Sequence, residues 1–97
     1  MFGVLICNDI NFKNMISAIN ELINEHKELN FIGINHTNSK LQYIVICQTN
    51  SIVKANETIK IINDIFGGTG GGNNISAQGG VNNGLDSNKI DELLNKI

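Results

Sequence analysis

Seven of the ten glycines in this 97-residue chain lie between positions 67 and 80, in the segment GGTGGGNNISAQGG. Glycine loses more backbone freedom on folding than any other residue, so a small domain gains little from such a segment between two well-formed elements. Three interpretations are open: a flexible linker, a tight structural turn, and a surface where bare backbone N–H groups meet a ligand. Ile75 and Ala77 follow at alternate, strand-like spacing, which disfavours a linker. The ligand-facing surface is the preferred interpretation, and the structural turn is its main alternative.

Length and composition predict a single domain, residues 1–97, that is too small for a catalytic apparatus with its own substrate domain. The formal net charge is −2, and all seven basic residues are lysines. Proteins that bind nucleic acid mainly through charge carry a basic excess, so contact with RNA or DNA must depend on local geometry or on a larger parent protein. We expect a cytoplasmic location and no membrane partner, because the apolar N-terminal run lacks a basic leader and soon ends at Asn8 and Asp9.

The hydrophobic pattern predicts an α/β (α+β) fold, a two-layer domain in which three helices pack on a small mixed sheet of about four strands. The predicted order is strand, helix, strand, strand, helix, strand, helix. Strands are expected at residues 3–7, 31–35, 41–49 and 75–78, and helices after the cap Asn11, over residues 51–66, and after the cap Asp86.

Several finer features follow from the same pattern. The strand at 3–7 is expected to be covered on both faces, and the strand at 41–49 to be central, since both of its sides are apolar. Residues 36–40 are predicted to form a hairpin loop, and Gly67 to cap the second helix. Two helix faces are expected to be buried: Ile52, Ala55, Ile59, Ile62 and Phe66 in the second helix, and Ile90, Leu93, Leu94 and Ile97 in the last.

The glycine tract nearly matches two phosphate-binding motifs and fulfils neither. In a dinucleotide-binding GxGxxG motif that begins with Gly68 and Gly70, Asn73 occupies the third glycine position. Gly67 and Gly72 have P-loop spacing, but Asn73 and Asn74 replace the required Lys and Ser/Thr, and the tract leaves a helix C-terminus. What remains is a nest of backbone N–H groups that receives a phosphate, a ribose or the flat face of a base. The side-chain amides of Asn73, Asn74 and Gln78 would add uncharged hydrogen bonds.

No catalytic or metal-binding cluster is visible elsewhere. His26 continues the apolar stripe of the first helix, and His36 lies in the predicted loop without neighbouring Cys, Asp or Glu. Cys7 and Cys47 lie in apolar runs without a CxxC motif, so buried, reduced thiols are expected. We therefore expect no catalytic residue, no metal and no cofactor in this domain.

The tract resembles the C-terminal domain of alanyl-tRNA synthetase, a module of the type also appended to DHH-family phosphoesterases. The typical pattern there runs Gly-Gly-Lys-Gly-Gly-Gly-Arg-Pro-Asp-Met-Ala-Gln followed by glycines. The residues that match it in register are Gly67, Gly68, Gly70, Gly71, Gly72, Ala77, Gln78, Gly79 and Gly80. Thr69 and Asn73 depart from the typical Lys and Arg, which should weaken contact with phosphates.

The resemblance implies a non-catalytic domain that contacts the outer corner of alanine-specific tRNA and supports aminoacylation and editing by the rest of the parent synthetase. The implied tRNA-binding residues are Gly67, Gly68, Gly70, Gly71, Gly72, Asn73, Asn74, Gln78, Gly79 and Gly80. The parent would use ATP, magnesium and an editing-site zinc, and would form a homodimer through a segment preceding residue 1. Two alternatives remain open: a self-association module, and the substrate-binding domain of a DHH-family nucleotide phosphoesterase.

Overall fold

The computed structural model describes all 97 residues. Its elements are β1 (Phe2–Asn8), α1 (Phe12–Glu25), β2 (Asn30–Thr37), β3 (Lys40–Ile46), α2 (Ala55–Phe66), β4 (Thr69–Gly72), β5 (Ser76–Val81) and α3 (Ser87–Lys96). The strands form one sheet in the order β1-β2-β3-β5-β4, in which β1 and β2 are parallel and the other pairs antiparallel. The predicted class, mixed sheet and three helices are confirmed. The sheet has five strands rather than about four, because part of the glycine tract is itself a strand.

The central strand β3 divides the core. Tyr43 and Val45 face a cluster formed with α2 and α3, whereas Ile44 and Ile46 face a cluster formed with α1. The prediction that this strand is central and apolar on both sides is confirmed. Because the side chains of neighbouring residues in a strand point to opposite faces, β3 packs against helices on both faces of the sheet. Helices therefore cover both faces, with α1 on one and α2 and α3 on the other, and the domain has three layers where two were expected.

The β2–β3 connection is tighter than the predicted loop at residues 36–40. Thr37 pairs with Lys40, and the turn consists of Asn38 and Ser39, whose φ values are 48° and 63°. Two consecutive left-handed residues are typical of the two-residue turn whose twist matches the flanking strands. His36 consequently belongs to β2, where it pairs with Leu41.

The helix ends follow the predicted caps. Oδ1 of Asn11 accepts a hydrogen bond from the Lys13 N–H at 2.9 Å, and Oδ1 of Asp86 accepts one from the Asn88 N–H at 2.9 Å. Gly67 ends α2 in the left-handed conformation, with φ 74° and ψ 27°. The start of α2 was predicted too early, since the helix begins at Ala55 and Ile52 is 94% exposed. Ile52 and Val53 lie in a bend before the helix, so Ile52 is not part of the buried helix face.

Three further predictions of burial are wrong. β1 is an edge strand, and Ile6 is 42% exposed instead of covered. In α3, Leu93 is fully buried but Leu94 is 47% exposed, because the helix contacts the core along a narrow line. Both cysteines are free thiols, but only Cys47 is buried, whereas Cys7 on the edge strand is half-buried.

Candidate functional site

The glycine tract forms a β-hairpin rather than a loose loop. After the cap at Gly67 the chain enters β4, which pairs antiparallel with β5. Asn73 closes the connection: its Oδ1 accepts hydrogen bonds from the N–H groups of Ile75 at 2.9 Å and Ser76 at 3.0 Å. Asparagine side chains commonly stabilise turns in this way. The side chain of Asn73 is thus engaged locally, and the tract has a defined conformation.

Asn63, in the last turn of α2, holds the beginning of this hairpin. Its Oδ1 accepts a hydrogen bond from the Tyr43 hydroxyl, and its Nδ2 donates one to the Gly70 carbonyl at 3.3 Å. Its backbone carbonyl accepts from the N–H groups of Gly67 at 2.8 Å and Gly68 at 3.0 Å. One asparagine therefore connects the helix end, the tract and the core tyrosine. Sequence reasoning did not identify this residue.

Close packing leaves no room for a side chain at most of the glycines in the tract. A Cβ at Gly79 would lie 2.7 Å from the Thr69 carbonyl oxygen and 2.8 Å from Cε1 of Tyr43. Comparable overlaps would arise at four other positions, namely Gly68, Gly70, Gly72 and Gly80. Gly71 differs, since no atom lies within 4 Å of a Cβ placed there. The structural-turn interpretation thus accounts for most of these glycines but not for Gly71.

The sheet register shows where Gly71 points. Ile44, Gln78 and Gly71 are aligned across β3, β5 and β4, and in the next row Gln42, Gly80 and Thr69 are aligned. Both rows lie on the α1 side of the sheet, but α1 packs on β2 and β3, and it is α2, on the opposite side, that packs on β4 and β5. The part of the sheet beyond α1 is left accessible. We call it the open face, formed by Gln42, Thr69, Gly71, Ser76, Gln78 and Gly80.

The expected nest of N–H groups is not the geometry found. In an antiparallel ladder the peptide groups lie in the plane of the sheet and alternate between the partner strand and the other side. The hydrogen bond from the Asn73 N–H to the Ser76 carbonyl (2.9 Å) fixes this alternation. The N–H and C=O groups of Gly71 therefore point toward β5, while those of Gly70 and Gly72 point toward the free edge of the sheet. The open face therefore presents flat peptide surface and side-chain amides rather than converging N–H donors.

The ten predicted site residues are separated by this arrangement. Gly71, Gln78 and Gly80 lie together on the open face. The other glycines belong to the helix cap or face the α2 side, and Asn73 and Asn74 form the connection, where the Asn74 carbonyl accepts from the Ala55 N–H at 2.9 Å. Gln42 joins the open face from β3. The sequence carried one sign of this: Gln42 is a polar residue at alternate spacing with the apolar Ile44 and Ile46, on the same side of the strand.

The open face carries no charged side chain, and neither does the tract from residue 67 to 80. Beneath the hairpin, burial raises the pKa of Tyr43 to about 12, so its hydroxyl remains a neutral donor at physiological pH. Binding at this surface would depend on shape and on neutral hydrogen bonds, which give modest affinity compared with ion pairs to phosphate.

The other chemistry-bearing residues are scattered. No group of three or more His, Cys, Asp and Glu side chains lies close enough to hold a metal ion. His26 ends α1 with a half-exposed side chain 3.7 Å from the Glu28 carboxylate, and burial raises the pKa of the Cys47 thiol. None of the helices has both the length and the apolar character needed to span a bilayer.

Comparison with solved structures defines the class of fold. The chain is similar to the C-Ala domain from Aquifex aeolicus alanyl-tRNA synthetase, with a TM-score of 0.76, 21% sequence identity, and coverage of 97% of this chain and 82% of that one. The family follows from sequence: the model of the DHHA1 domain matches residues 2–97, and the chain belongs to the DHHA1 domain family. The resemblance drawn from the tract is confirmed.

Curated relatives point to the same group. Alanine–tRNA ligases from two strains of Ureaplasma parvum serovar 3 are 37% identical to this chain over 89 residues. The alignment covers 88% of this chain and 10% of each relative. The chain thus spans about a tenth of the length of the curated relatives it matches.

Proposed function

We propose that this chain is the C-terminal accessory domain of an alanine–tRNA ligase, and that it binds the outer corner of tRNA without catalysing a reaction itself. Its relatives carry the name of that ligase, and its fold is that of the C-Ala domain. In this proposal the domain helps the aminoacylation and editing parts of the longer protein use one bound tRNA.

The open face is the observation that carries the proposal. Gly71 has no packing reason to lack a side chain, yet it lies beside the exposed Gln78 on an uncovered part of the sheet. A side chain at Gly71 would project from this face and sterically prevent a ligand from contacting the backbone. Bare backbone permits close contact with a ribose or with the flat face of a base, and glutamine supplies hydrogen bonds to them.

We propose the remaining partners from the relatives, which are named alanine–tRNA ligase. The rest of the synthetase is the covalent partner, and homodimerisation would use a segment preceding residue 1. ATP, magnesium and the editing-site zinc belong to other parts of the protein, and the proposed location is the cytoplasm, where tRNA is charged.

Gly71 also provides the sharpest experiment, because a side chain fits there. Gly71→Leu should fold normally and cover the open face, whereas substitutions at Gly70 or Gly72 would overlap backbone atoms. We expect the variant to bind an alanine-specific tRNA transcript at least ten-fold more weakly than the unaltered chain. Gly84→Leu is the matched control, since a Cβ at Gly84 would make only an ordinary contact, 3.8 Å from Nε2 of His36. Unchanged affinity of folded Gly71→Leu would exclude the open face as the binding surface.

Self-association is the second candidate function, and one observation favours it. β4 is an exposed edge strand in which the peptide groups of Gly70 and Gly72 face outward. Such edges can pair with another strand. A sedimentation coefficient that rises with protein concentration and is unaffected by tRNA would support this function over RNA binding.

The phosphoesterase alternative has weaker support from the geometry. The resemblance to DHH-family phosphoesterases implies a substrate-binding histidine directly after the glycine run. This chain has Asn73 at that position, and its side chain closes the hairpin turn instead. Binding of a nucleotide substrate at this position would have to displace those hydrogen bonds.

A further inference from the structure

The amide of Asn35 is buried and has a fixed orientation. Asn35 is 0% exposed, and its side chain forms a reciprocal pair with the backbone of Ile10. Its Nδ2 donates to the Ile10 carbonyl at 2.7 Å, while its Oδ1 accepts from the Ile10 N–H at 3.4 Å. Reversing the amide would place donor against donor and acceptor against acceptor, so this network determines which atom is nitrogen.

This orientation determines that of Gln42. An amide nitrogen carries two hydrogens, and Asn35 uses only one of them on Ile10. Nδ2 of Asn35 also lies 3.4 Å from Oε1 of Gln42, its cross-strand neighbour. Because Asn35 can only donate at this point, Gln42 must present its oxygen there. The Nε2 hydrogens of Gln42 are consequently directed away from Asn35. They have no partner within the protein, and Nε2 is accessible to solvent.

Gln42 borders a bare part of the open face that is surrounded by polar side chains. Gln42 is directly opposite Gly80 on β5, and Gly80 is opposite Thr69 on β4. Gln78, two residues before Gly80 on the same face, borders this position from the third side. Gly80 thus forms a bare floor with polar side chains on three sides. Gln42 is half-buried, so its amide loses little conformational freedom when it binds.

We propose that Gln42 is a specificity-determining contact residue, which donates from Nε2 to a hydrogen-bond acceptor of a nucleotide lying over Gly80, and that Asn35 is the positioning residue that makes it a donor. The acceptor is a base carbonyl, a ring nitrogen or a ribose oxygen. This inference depends on the proposed function, because it names the RNA atoms that the open face recognises.

A spectroscopic experiment tests the inference without altering the fold. In the ¹⁵N-labelled chain, adding alanine-specific tRNA transcript should shift the side-chain NH₂ resonances of Gln42. The NH₂ resonances of the buried Asn35 should remain close to their positions in the free protein, since its partners do not change. Saturating tRNA that leaves the Gln42 signals in place would overturn the inference.

A pair of variants provides the second measurement. Gln42→Met keeps the length of the side chain and removes its donors, and we expect tRNA affinity to fall about five- to ten-fold, the usual effect of losing one neutral hydrogen bond. Asn95→Met is the matched control, an exposed position on α3 on the opposite side of the sheet. The control should bind as the unaltered chain does.

The outcomes separate this inference from the proposed function. If Gly71→Leu weakens binding but Gln42→Met does not, the open face binds RNA and the role of Gln42 is refuted. If the unaltered chain shows no affinity for tRNA, the proposed function fails and this inference fails with it. If both variants weaken binding and the Gln42 resonances shift, both proposals are supported.

Discussion

The hydroxyl of Tyr43 donates a hydrogen bond to Oδ1 of Asn63, and this bond joins the central strand to the last turn of α2. The same asparagine donates to the Gly70 carbonyl, so the core tyrosine is linked through one side chain to the edge strand of the sheet. Gly68 and Gly79 lie so close to the tyrosine ring that neither has room for a Cβ. The hairpin therefore rests on Tyr43, and its glycines permit this close approach.

Replacing Tyr43 with Phe should destabilise the domain although it preserves the ring. The substitution removes the only hydrogen bond found for Oδ1 of Asn63 and leaves the oxygen of this half-buried residue without a partner, which costs about 1–3 kcal/mol. Urea unfolding followed by circular dichroism measures the change. A double-mutant cycle with Asn63→Ala should give a clear coupling energy, and strict additivity would contradict the hydrogen bond.

The stability of the domain should fall in strongly alkaline solution. Burial raises the pKa of Tyr43 from 10.0 to about 12, so the phenol ionises more readily in the unfolded chain. The contribution of this group is fully present below pH 10 and is lost as pH rises from 10 through 12. Subtracting the profile of Tyr43→Phe removes the effect of the lysines. As Tyr43 is the only tyrosine, near-ultraviolet absorbance reports its ionisation directly, and a midpoint near 10 would contradict its burial.

Two glycines of the tract should respond oppositely to alanine. At Gly79 a Cβ would overlap the Thr69 carbonyl and the Tyr43 ring, so we expect Gly79→Ala to lower the free energy of unfolding by about 2–4 kcal/mol. At Gly71 the space is open, and alanine restricts the unfolded chain, so Gly71→Ala should be neutral or stabilising by up to about 1 kcal/mol. Denaturant midpoints compare the two variants, and equal losses would contradict the packing described for the tract.

Gln48 should stabilise the segment at and after the C-terminal end of α1. Its Nε2 lies 2.8 Å from the Ile23 carbonyl oxygen and 3.0 Å from those of His26 and Leu29. Gln48→Met removes this donor and should cost about 1–3 kcal/mol, while Gln48→Glu should cost more, because a carboxylate would face three carbonyl oxygens. Gln78→Met serves as the control, since the exposed Gln78 side chain makes no hydrogen bond within the protein, and thermal unfolding should change little. A smaller loss for Glu than for Met would contradict the assigned role.

Adding a cation to the open face should strengthen RNA binding. Thr69 stands where the synthetase pattern has Lys, and it is exposed beside Gly80. We expect Thr69→Lys to increase tRNA affinity about three- to ten-fold at low salt and to steepen the slope of log K against log salt by about one. Thr49→Lys makes the same change in net charge at an exposed position outside the open face. Equal gains for both variants would indicate non-specific attraction instead of contact at the open face.

The sequence predicted most of the local structure because local structure depends on near neighbours in the chain. The caps at Asn11, Asp86 and Gly67 and the two-sided character of β3 were all visible as residue types at fixed spacing. The pattern of the tract was also sufficient to indicate the family.

The exposure of individual apolar side chains and the structure of the glycine run could not be predicted from local patterns in the sequence. Ile52 and Leu94 have the spacing of buried residues but are exposed, because burial depends on which element lies opposite. The strand at the end of the tract was predicted, but its glycine run was expected to present converging N–H groups. Pairing with β5 makes Thr69–Gly72 a strand instead, since a glycine-rich segment has weak conformational preferences of its own.

The sequence by itself determined the order of the elements other than β4, the caps at Asn11, Gly67 and Asp86, and the family to which the chain belongs. Only the tertiary structure decided what each glycine does: those beside Tyr43 and its neighbours are required by packing, while Gly71 is left bare on the open face. Likewise, only the fold brings Asn35, Gln42 and Gly80 into one row across three strands. The physical reason is that residues distant in the chain determine steric overlap and hydrogen-bond direction. Local spacing in the sequence does not specify where those residues lie.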